Sequence, residues 1–269
     1  MPSNSKAVIK QTLPEPLMRL YRGARCVWHL ASSSERGRMV GFLRDRSFTL
    51  PLGERLKLLW RLQFISDMVF CPHTQTEMLE VITAALAMPD SVAGCIVEAG
   101  CCKGGSTAKI SLAAHLTGRK FVVFDSFEGL PEVDEPTTKS LFEGREVSFK
   151  KGGYKGSLEE ARGNVARYGY VDTCRFVKGW FKDTMPGFEE NVAVAYLDVD
   201  LASSTRDCLK YLYPLISSGG VLFSQDGHLP LVVEVFKDDA FWQREVKCRK
   251  PDIRGIGREK LIRITKLAG

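Results

Sequence analysis

The sequence lacks both a membrane-spanning segment and a cysteine pattern that would bind metal. No apolar run approaches the roughly 18 to 20 residues that a membrane helix needs, and the first residues lack the apolar stretch of a secretory signal. The eight cysteines are scattered and contain no C-x-x-C pair. This spacing favours reduced thiols over a zinc site or a disulfide framework. Together these absences predict a cytoplasmic chain without a transmembrane segment.

The chain also lacks the composition of a disordered or fibrous protein. Its 269 residues are 44% hydrophobic and 26% charged, which suits a globular α/β chain. The net charge of +6 is uneven: residues 1–61 hold 12 Lys/Arg against 4 Asp/Glu, residues 62–243 hold 17 against 25, and residues 244–269 hold 9 against 3. No RNA-binding aromatic pattern or zinc-finger spacing accompanies the basic ends. They indicate solvated helix faces and contacts between copies in a homo-oligomer, with no nucleic-acid partner.

The spacing of the apolar residues changes near residue 90. From about residue 13 to residue 81, apolar residues recur at helical spacing, as in Leu17, Leu20 and Trp28. From Val92 onward, short β-branched runs alternate with helical stretches, which is typical of a mostly parallel sheet covered by helices. We therefore predict an N-terminal helical region over 1–90 and an α/β domain over 91–269. The expected strands are Cys95–Ala99, Lys120–Phe124, Cys174–Val177, Val192–Leu197 and Val221–Phe223.

The C-terminal residues predict a hairpin. Gln243–Lys250 and Lys260–Lys266 alternate in polarity, which is typical of two strands that close a sheet.

The segment Pro131–Gly156 is long, rich in glycine and charge, and poorly periodic. A structureless loop of this length is usually functional, so we expect it to form a lid over the strand ends.

A glycine-rich turn follows the first expected strand. Glu98–Ser106 reads EAGCCKGGS, and a helix is expected to begin there. Glycines let backbone N–H groups at a helix start approach an anionic ligand, although tight strand-to-helix turns also use glycine for structure alone. The turn is neither a Walker A loop nor G-x-G-x-x-G, because Lys103 precedes its glycines.

The second expected strand ends in an acidic residue, Asp125. A carboxylate at this position accepts the ribose hydroxyls of an adenosine in related α/β folds, so the two features favour an adenosyl ligand. After the third strand, Gly179, Trp180 and Phe181 place aromatic rings where a purine would stack. Core packing of the same rings is the alternative.

Carboxylates follow the next two strands. Asp198 and Asp200 end the fourth strand, and strand alternation places both on one side of the chain. Asp226 and His228 follow the fifth. Such a group suits an oxygen-ligated Mg²⁺ or a general base, while each aspartate alone suits a helix cap. His228 is a candidate for a second acid/base or a ligand, with an ordinary surface histidine as the favoured alternative.

These motifs resemble the macrocin O-methyltransferase family, enzymes that use S-adenosylmethionine to methylate sugar hydroxyls on macrolides and related natural products. The resemblance covers about Val97 to Phe236. Its motifs are VEAG at 97–100 with GGS at 104–106, FDSFEGLP at 124–131, GSLEE at 156–160, KGWFKDTMP at 178–186, and LDVDL at 197–201 with ST at 204–205.

The resemblance implies a class I methyltransferase fold, which is a Rossmann-like, seven-stranded, mostly parallel sheet with an antiparallel last strand. It implies that Glu98 to Ser106 hold the methionine part of the cofactor and that Asp125 binds the ribose. It also implies a Mg²⁺ ligand at Asp198 and a catalytic base at Asp200. The full expected cofactor set is Glu98, Ala99, Gly100, Lys103, Gly105, Ser106, Asp125, Ser126, Phe127, Gly179, Trp180, Phe181 and Asp198.

The chain departs from the family at its metal site. The family completes the site with two adjacent aspartates, and here the corresponding residues are Gln225 and Asp226. Asp198, Gln225 and Asp226 are therefore the expected metal ligands, and we expect Mg²⁺ to be weakly bound or dispensable.

The resemblance implies that the acceptor is a sugar or glycoside. A nicotinamide-dependent oxidoreductase and a non-catalytic cofactor-binding homologue remain as alternatives. The family also carries an arginine-containing stretch before the first strand, and no role transfers to Asp67–His73 in its place.

Overall fold

The computed structural model describes residues 35–132 and 134–267. The helical pattern expected around Leu17 to Trp28, together with Cys26, lies outside these residues. Within the described residues the chain forms a twisted central sheet with helices on both faces.

The central sheet contains six strands in the order β5-β2-β1-β6-β7-β8. Neighbouring strands run parallel except at β8, which pairs antiparallel with β7. The strands of the sheet are β1 Cys95–Ala99, β2 Phe121–Asp125, β5 Cys174–Lys178, β6 Val192–Leu197, β7 Ile216–Ser224 and β8 Ile262–Thr265, and β3 Thr138–Lys139 and β4 Glu146–Val147 form a separate hairpin. The α/β class and all five expected parallel strands are confirmed.

The central strands are readable from sequence because they are covered on both faces. Every residue of β1 and β6 is buried, and such strands read as continuous apolar runs. In register, Ile96 of β1 lies opposite Phe121 of β2 and Val194 of β6. This parallel register brings the carboxyl ends of the strands to one edge of the sheet.

Three helices of the N-terminal region pack against one face of this sheet. They are α1 Arg36–Arg44, α2 Leu52–Met68 and α3 Gln75–Leu86. Leu62 and Ile82 are fully buried in a core that also contains Ile96 of β1 and Phe121 of β2. At the start of α3, Thr74 and Glu77 form a reciprocal capping box that fixes where the helix begins. The division of the chain at residue 90 stays a prediction.

The remaining helices connect the strands. They are α4 Gly105–Thr117, α5 Leu158–Tyr168, α6 Phe181–Thr184, α7 Ala202–Leu212, α8 Pro230–Lys237 and α9 Asp239–Phe241. Ser157 caps α5 by accepting the backbone N–H of Glu160.

The C-terminal hairpin expected from sequence is wrong in its first half. Residues Trp242–Val246 form a turn of π-helix instead of a strand. The reason is packing: the Trp242 ring is fully buried against Tyr213 and donates its indole N–H to the Phe236 carbonyl. The second half is correct, since Ile262–Thr265 is β8. Where a seventh strand would lie, the described residues contain a single antiparallel bridge between Arg254 and Arg263.

The segment expected as a structureless lid has structure of its own. Within residues 131–156, β3 and β4 form a short hairpin. Glu135 docks this segment on α7 by accepting the backbone N–H groups of Ala202 and Ser203, at 3.1 and 2.9 Å. The Leu141 N–H donates to the His228 carbonyl at 3.0 Å. Its role as a lid over the strand ends stays a prediction.

The structure also shows the state of the cysteines and the character of the helices. The seven described cysteines are free thiols, of which Cys95, Cys101 and Cys208 are buried. Among residues 35–132 and 134–267, no helix combines the length and apolar character needed to cross a membrane. The expected cytoplasmic location and homo-oligomer stay predictions.

Candidate active site

A cavity of about 320 Å³ opens at the carboxyl ends of the parallel strands. This is where open α/β sheets bind their ligands, and the volume is in the range of small-molecule sites. Its lining includes these expected site residues: Gly100, Gly105, Ser106, Asp125, Ser126, Gly179, Trp180, Phe181, Asp198, Asp200, Gln225, Asp226 and His228. The structure thus gathers in one cavity residues that follow β1, β2, β5, β6 and β7.

The turn between β1 and α4 forms one wall of this cavity. Gly100 has a φ of +85°, and a Cβ there would lie 2.0 Å from the backbone oxygen of Asp198. Any side chain at Gly100 would therefore separate β1 from β6. A Cβ on Gly105 would lie 2.6 Å from the carbonyl oxygen of Phe70. The glycines allow the N-terminus of α4 to lie directly beneath the segment that contains Phe70.

Asp125 is held in place by the same turn. One carboxylate oxygen accepts the N–H groups of Cys101 and Cys102, at 2.7 and 3.2 Å, and the other accepts the N–H of Phe127 at 2.7 Å. A carboxylate has about four lone-pair sites, so one site stays free on Oδ1, and Asp125 lines the cavity. The arrangement leaves the carboxylate able to accept one more hydrogen bond, as from a ribose hydroxyl.

Four expected cofactor residues lie outside the cavity lining. Ala99 and Phe127 are buried, and Lys103 extends outward into an ion pair with Glu160. Glu98 is fully buried beneath the turn and accepts the hydroxyl of Thr107 at 2.5 Å. These residues act on the cavity through the backbone they support.

The environment of Glu98 favours its neutral form. Burial raises the pKa of this carboxyl to about 8, against the opposing effect of its hydroxyl hydrogen bonds. One of its carboxyl oxygens, Oε1, has no hydrogen-bond partner among the described residues. Glu98 is therefore a buried acid at the base of the cofactor turn.

Asp198 forms an ion pair with a residue that the sequence did not single out. His73 Nε2 lies 2.8 Å from Asp198 Oδ2, and His73 is buried. Burial alone lowers the pKa of His73, but the facing Asp198 carboxylate raises it well above the usual range. The segment before α3 therefore places a cationic ring against the end of β6.

Asp200 and Asp226 are joined through the backbone. Asp226 Oδ2 accepts the N–H groups of Val199 and Asp200, at 3.0 and 3.1 Å. Asp200 adopts a φ of +61°, which is uncommon for a residue with a side chain. Burial, together with repulsion between the carboxylates, raises the pKa of both groups. Asp226 thus stabilises the strained turn that carries Asp200 into the cavity.

The three expected magnesium ligands are engaged by the protein itself. Asp198 faces His73, and Asp226 accepts two backbone N–H groups. Gln225 Oε1 accepts the Tyr196 hydroxyl at 3.1 Å, and its Nε2 has no partner among the described residues. Within the described part of the chain, no group of three or more His, Cys, Asp or Glu side chains is arranged to hold a metal ion. As arranged, Asp198, Gln225 and Asp226 do not fit a magnesium ion.

His228 is not the surface residue that the alternative interpretation expected. It is 9% exposed and lines the cavity beside Lys260. Burial and the positive charge of Lys260 lower the pKa of its ring. Its Nδ1 has no hydrogen-bond partner among the described residues, so a neutral ring is available to a ligand.

Several lining residues were missed at the sequence level. Phe70, Cys71 and His73 come from the segment to which no role could be assigned, and Arg145 and Tyr154 come from the lid. Their types and spacing carried no signal, because their positions depend on how distant segments pack. Trp180 and Phe181 both line the cavity, and their stacking on a purine stays a prediction.

Comparison with known proteins agrees with this geometry. A sequence model of the family described as Macrocin-O-methyltransferase (TylF) matches residues 73–247. The chain is 42% identical over 144 residues to an 8-demethyl-8-(2,3-dimethoxy-alpha-L-rhamnosyl)-tetracenomycin-C 4'-O-methyltransferase of Streptomyces olivaceus, covering 52% of this chain and 55% of the relative. It is 30% identical over 181 residues to the mycinamicin III 3''-O-methyltransferase of Micromonospora griseorubida, covering 59% and 71%.

A solved structure extends the comparison to three dimensions. The O-methyltransferase NovP superimposes with a TM-score of 0.58 at 26% identity, over 72% of this chain and 81% of that one. The match to the Streptomyces olivaceus relative spans about half of that protein's length. The family model begins at His73 and includes every expected site residue from Glu98 to His228.

Proposed function

Because the chain belongs to the macrocin O-methyltransferase family, we propose that it transfers a methyl group from S-adenosylmethionine to a hydroxyl of a sugar or glycosylated natural product. One observation carries the proposal: Asp125, at the end of β2, and Asp200, after β6, line the same cavity. The carboxylate that we expect to bind the ribose and the candidate base therefore face the same cavity.

The cofactor would lie along the β1–α4 turn. Asp125 is oriented by three backbone N–H groups and would accept a ribose hydroxyl at its free site. Trp180 and Phe181 would lie against the purine. When bound, S-adenosylmethionine supplies an electrophilic methyl group together with its own leaving group. The protein needs only to align the acceptor and remove one proton.

The acceptor would occupy the part of the cavity lined by carboxylates. Asp200 would take the proton of the acceptor hydroxyl. Asp226 would fix the orientation of Asp200 by accepting the backbone N–H of Asp200. Gln225 Nε2 and His228 Nδ1 have no partners among the described residues, so they are available to bind acceptor oxygens. Two relatives support a glycoside as the acceptor class: one is a rhamnosyl-tetracenomycin 4'-O-methyltransferase, and the other is a mycinamicin 3''-O-methyltransferase.

No step of this proposal passes through a metal. His73 already places positive charge against Asp198, and Lys260 lines the same cavity. These cations compensate part of the negative charge of Asp198, Asp200 and Asp226. Magnesium assistance stays a prediction from family resemblance, and a titration tests it below.

Calorimetry with S-adenosylhomocysteine and with NAD tests the cofactor assignment. We expect S-adenosylhomocysteine to bind with a stoichiometry of about one and NAD to show no saturable heat. Binding of NAD in preference to S-adenosylhomocysteine would contradict the proposal and favour a nicotinamide-dependent oxidoreductase.

A further inference from the structure

Cys71 lies at the wall of the cavity among groups that stabilise a thiolate. Its Sγ is 3.3 Å from Lys109 Nζ and 3.3 Å from His73 Nδ1. His73 Nε2 in turn faces Asp198. A nucleophile next to an imidazole that is oriented by a third group is the arrangement found around activated cysteines. The proposed methyl transfer makes no use of Cys71.

Lys109 supplies the strongest argument for the charged form of this thiol. The side chain is 0% exposed, and among the described residues the hydrogen bond found for its ammonium group goes to Cys71 Sγ. An ammonium group buried without an opposite charge is costly, so a thiolate at Cys71 balances it. Burial alone raises the pKa of Cys71, but the contact with His73 and the charge of Lys109 lower it to about 7.

Cys71 is also partly exposed at the cavity. Cys71 is half-buried and lines the cavity, beside Phe70, which is 58% exposed. A Cβ on Gly105, the first residue of α4, would lie 2.9 Å from the Cys71 Cβ. A group added to Cys71 would therefore project near the N-terminus of α4.

We propose that Cys71 is a nucleophilic thiolate, paired with Lys109 and His73, and is a covalent modification site for soft carbon electrophiles. With iodoacetamide as the probe, the Cys71 sulfur forms a bond to the methylene carbon and the carbon–iodine bond breaks. Iodide leaves with the electron pair. No proton has to be removed from a thiolate in this step.

The full chain contains a matched internal control. Cys102 is also half-buried and lines the same cavity, but burial raises its pKa to about 11. At pH 7 with limiting iodoacetamide, peptide mass mapping should show Cys71 modified at least about ten times faster than Cys102, because its thiolate fraction is far larger. Equal rates at the two cysteines would overturn the proposal, and this comparison needs no variant.

A variant separates the role of the buried ammonium from simple accessibility. Lys109→Met keeps the length of the side chain and removes its charge. If circular dichroism shows that the variant folds, its Cys71 should be alkylated several times more slowly at pH 7, with the midpoint of the rate moved to higher pH. The ionisable groups that act on the Cys71 thiol are Lys109 on α4, His73 on the segment that contains Cys71, and Tyr196 on β6. An unchanged midpoint in Lys109→Met would contradict the pairing.

The consequence for ligand binding rests on the proposed function. Alkylated wild-type protein should lose S-adenosylhomocysteine binding, whereas Cys71→Ser treated in the same way should bind as well as its own untreated sample. If untreated wild type fails to bind S-adenosylhomocysteine, the proposed function is wrong and the alkylation rates still decide the reactivity of Cys71. If alkylated wild type binds normally, Cys71 does not project toward the cofactor.

Discussion

The Asp226 carboxylate accepts the backbone N–H of Asp200 at 3.1 Å, within a turn where Asp200 has a φ of +61°. The two carboxylates come from the ends of adjacent strands, β6 and β7. Both line the cavity, and Asp226 in addition holds the backbone of Asp200. In the proposed function, Asp226 positions this turn and Asp200 removes the proton.

Asp200→Asn should therefore remove most of the activity. The amide preserves the shape of the side chain but cannot take a proton, and a general base contributes about 100-fold or more to the rate. The expected result is a fall of at least about 100-fold in kcat with S-adenosylhomocysteine binding nearly unchanged. Asp207→Asn, on α7 and outside the cavity lining, is the matched control. Full activity of Asp200→Asn would show that another group takes the proton.

Asp125→Ala should weaken cofactor binding. Hydrogen bonds to a charged group contribute about 1.5 to 3 kcal/mol, which corresponds to a loss of roughly 10- to 100-fold in affinity for S-adenosylhomocysteine. Calorimetry measures the change, with the exposed Asp172→Ala as control. Undiminished affinity in Asp125→Ala would remove this residue from the ribose site.

Glu98 should make the protein less stable as the pH rises. Its pKa is about 8 in the folded protein and near 4.5 when exposed, so between these values the folded state binds more protons than the unfolded state. The free energy of unfolding therefore decreases from about pH 5 to pH 8 through this group. Urea unfolding at pH 5.5 and pH 8 should show a smaller decrease for Glu98→Gln than for wild type. Equal decreases would mean that Glu98 is ionised in the folded protein.

Glu135 should hold the lid on α7. It accepts the N–H groups of Ala202 and Ser203, so Glu135→Ala should increase the rate of trypsin cleavage within residues 131–156. The candidate cleavage sites are Lys139, Arg145, Lys150 and Lys151. Glu132→Ala is the control, because Glu132 forms only an exposed ion pair with Lys151. Equal cleavage of the two variants would show that the contact with α7 does not restrain the lid.

Magnesium should have little effect on the wild-type chain. The expected ligands are occupied by His73, Tyr196 and backbone N–H groups, so we expect activity to persist in EDTA. Gln225→Asp adds a carboxylate at the cavity and should increase the stimulation by millimolar Mg²⁺. Loss of wild-type activity in EDTA, restored by Mg²⁺, would show that a metal rearranges these contacts.

The central parallel strands could be predicted from the sequence because β1, β2 and β6 are apolar runs buried on both faces, whereas the edge strand β5 is half-buried or exposed and was predicted from its short β-branched pattern alone. The carboxylates at the carboxyl ends of those strands could also be predicted. They lie together at one edge of the sheet and are Asp125, Asp198, Asp200 and Asp226. The first half of the expected C-terminal hairpin failed because burial of Trp242 against Tyr213 overrides the polarity pattern of the residues after it.

The contacts of the site could not be predicted in the same way. His73 meets Asp198, and Cys71 meets Lys109, only because α2 and α3 pack against α4 and the sheet and bring the segment between them over the cavity. Neither pair has a local sequence pattern. Likewise, the burial of His228 depends on its position beside the lid, whose Leu141 N–H donates to the His228 carbonyl.

Methyl transfer from radiolabelled S-adenosylmethionine to a panel of glycosides tests the proposed activity and its acceptor class together. Wild type should label at least one glycoside on a sugar oxygen and should not label the matching deoxy-sugar glycoside. Asp200→Asn should label neither. Wild-type protein that binds S-adenosylhomocysteine yet labels no glycoside, while it labels a hydroxyl on a molecule without a sugar, would contradict the assigned acceptor class.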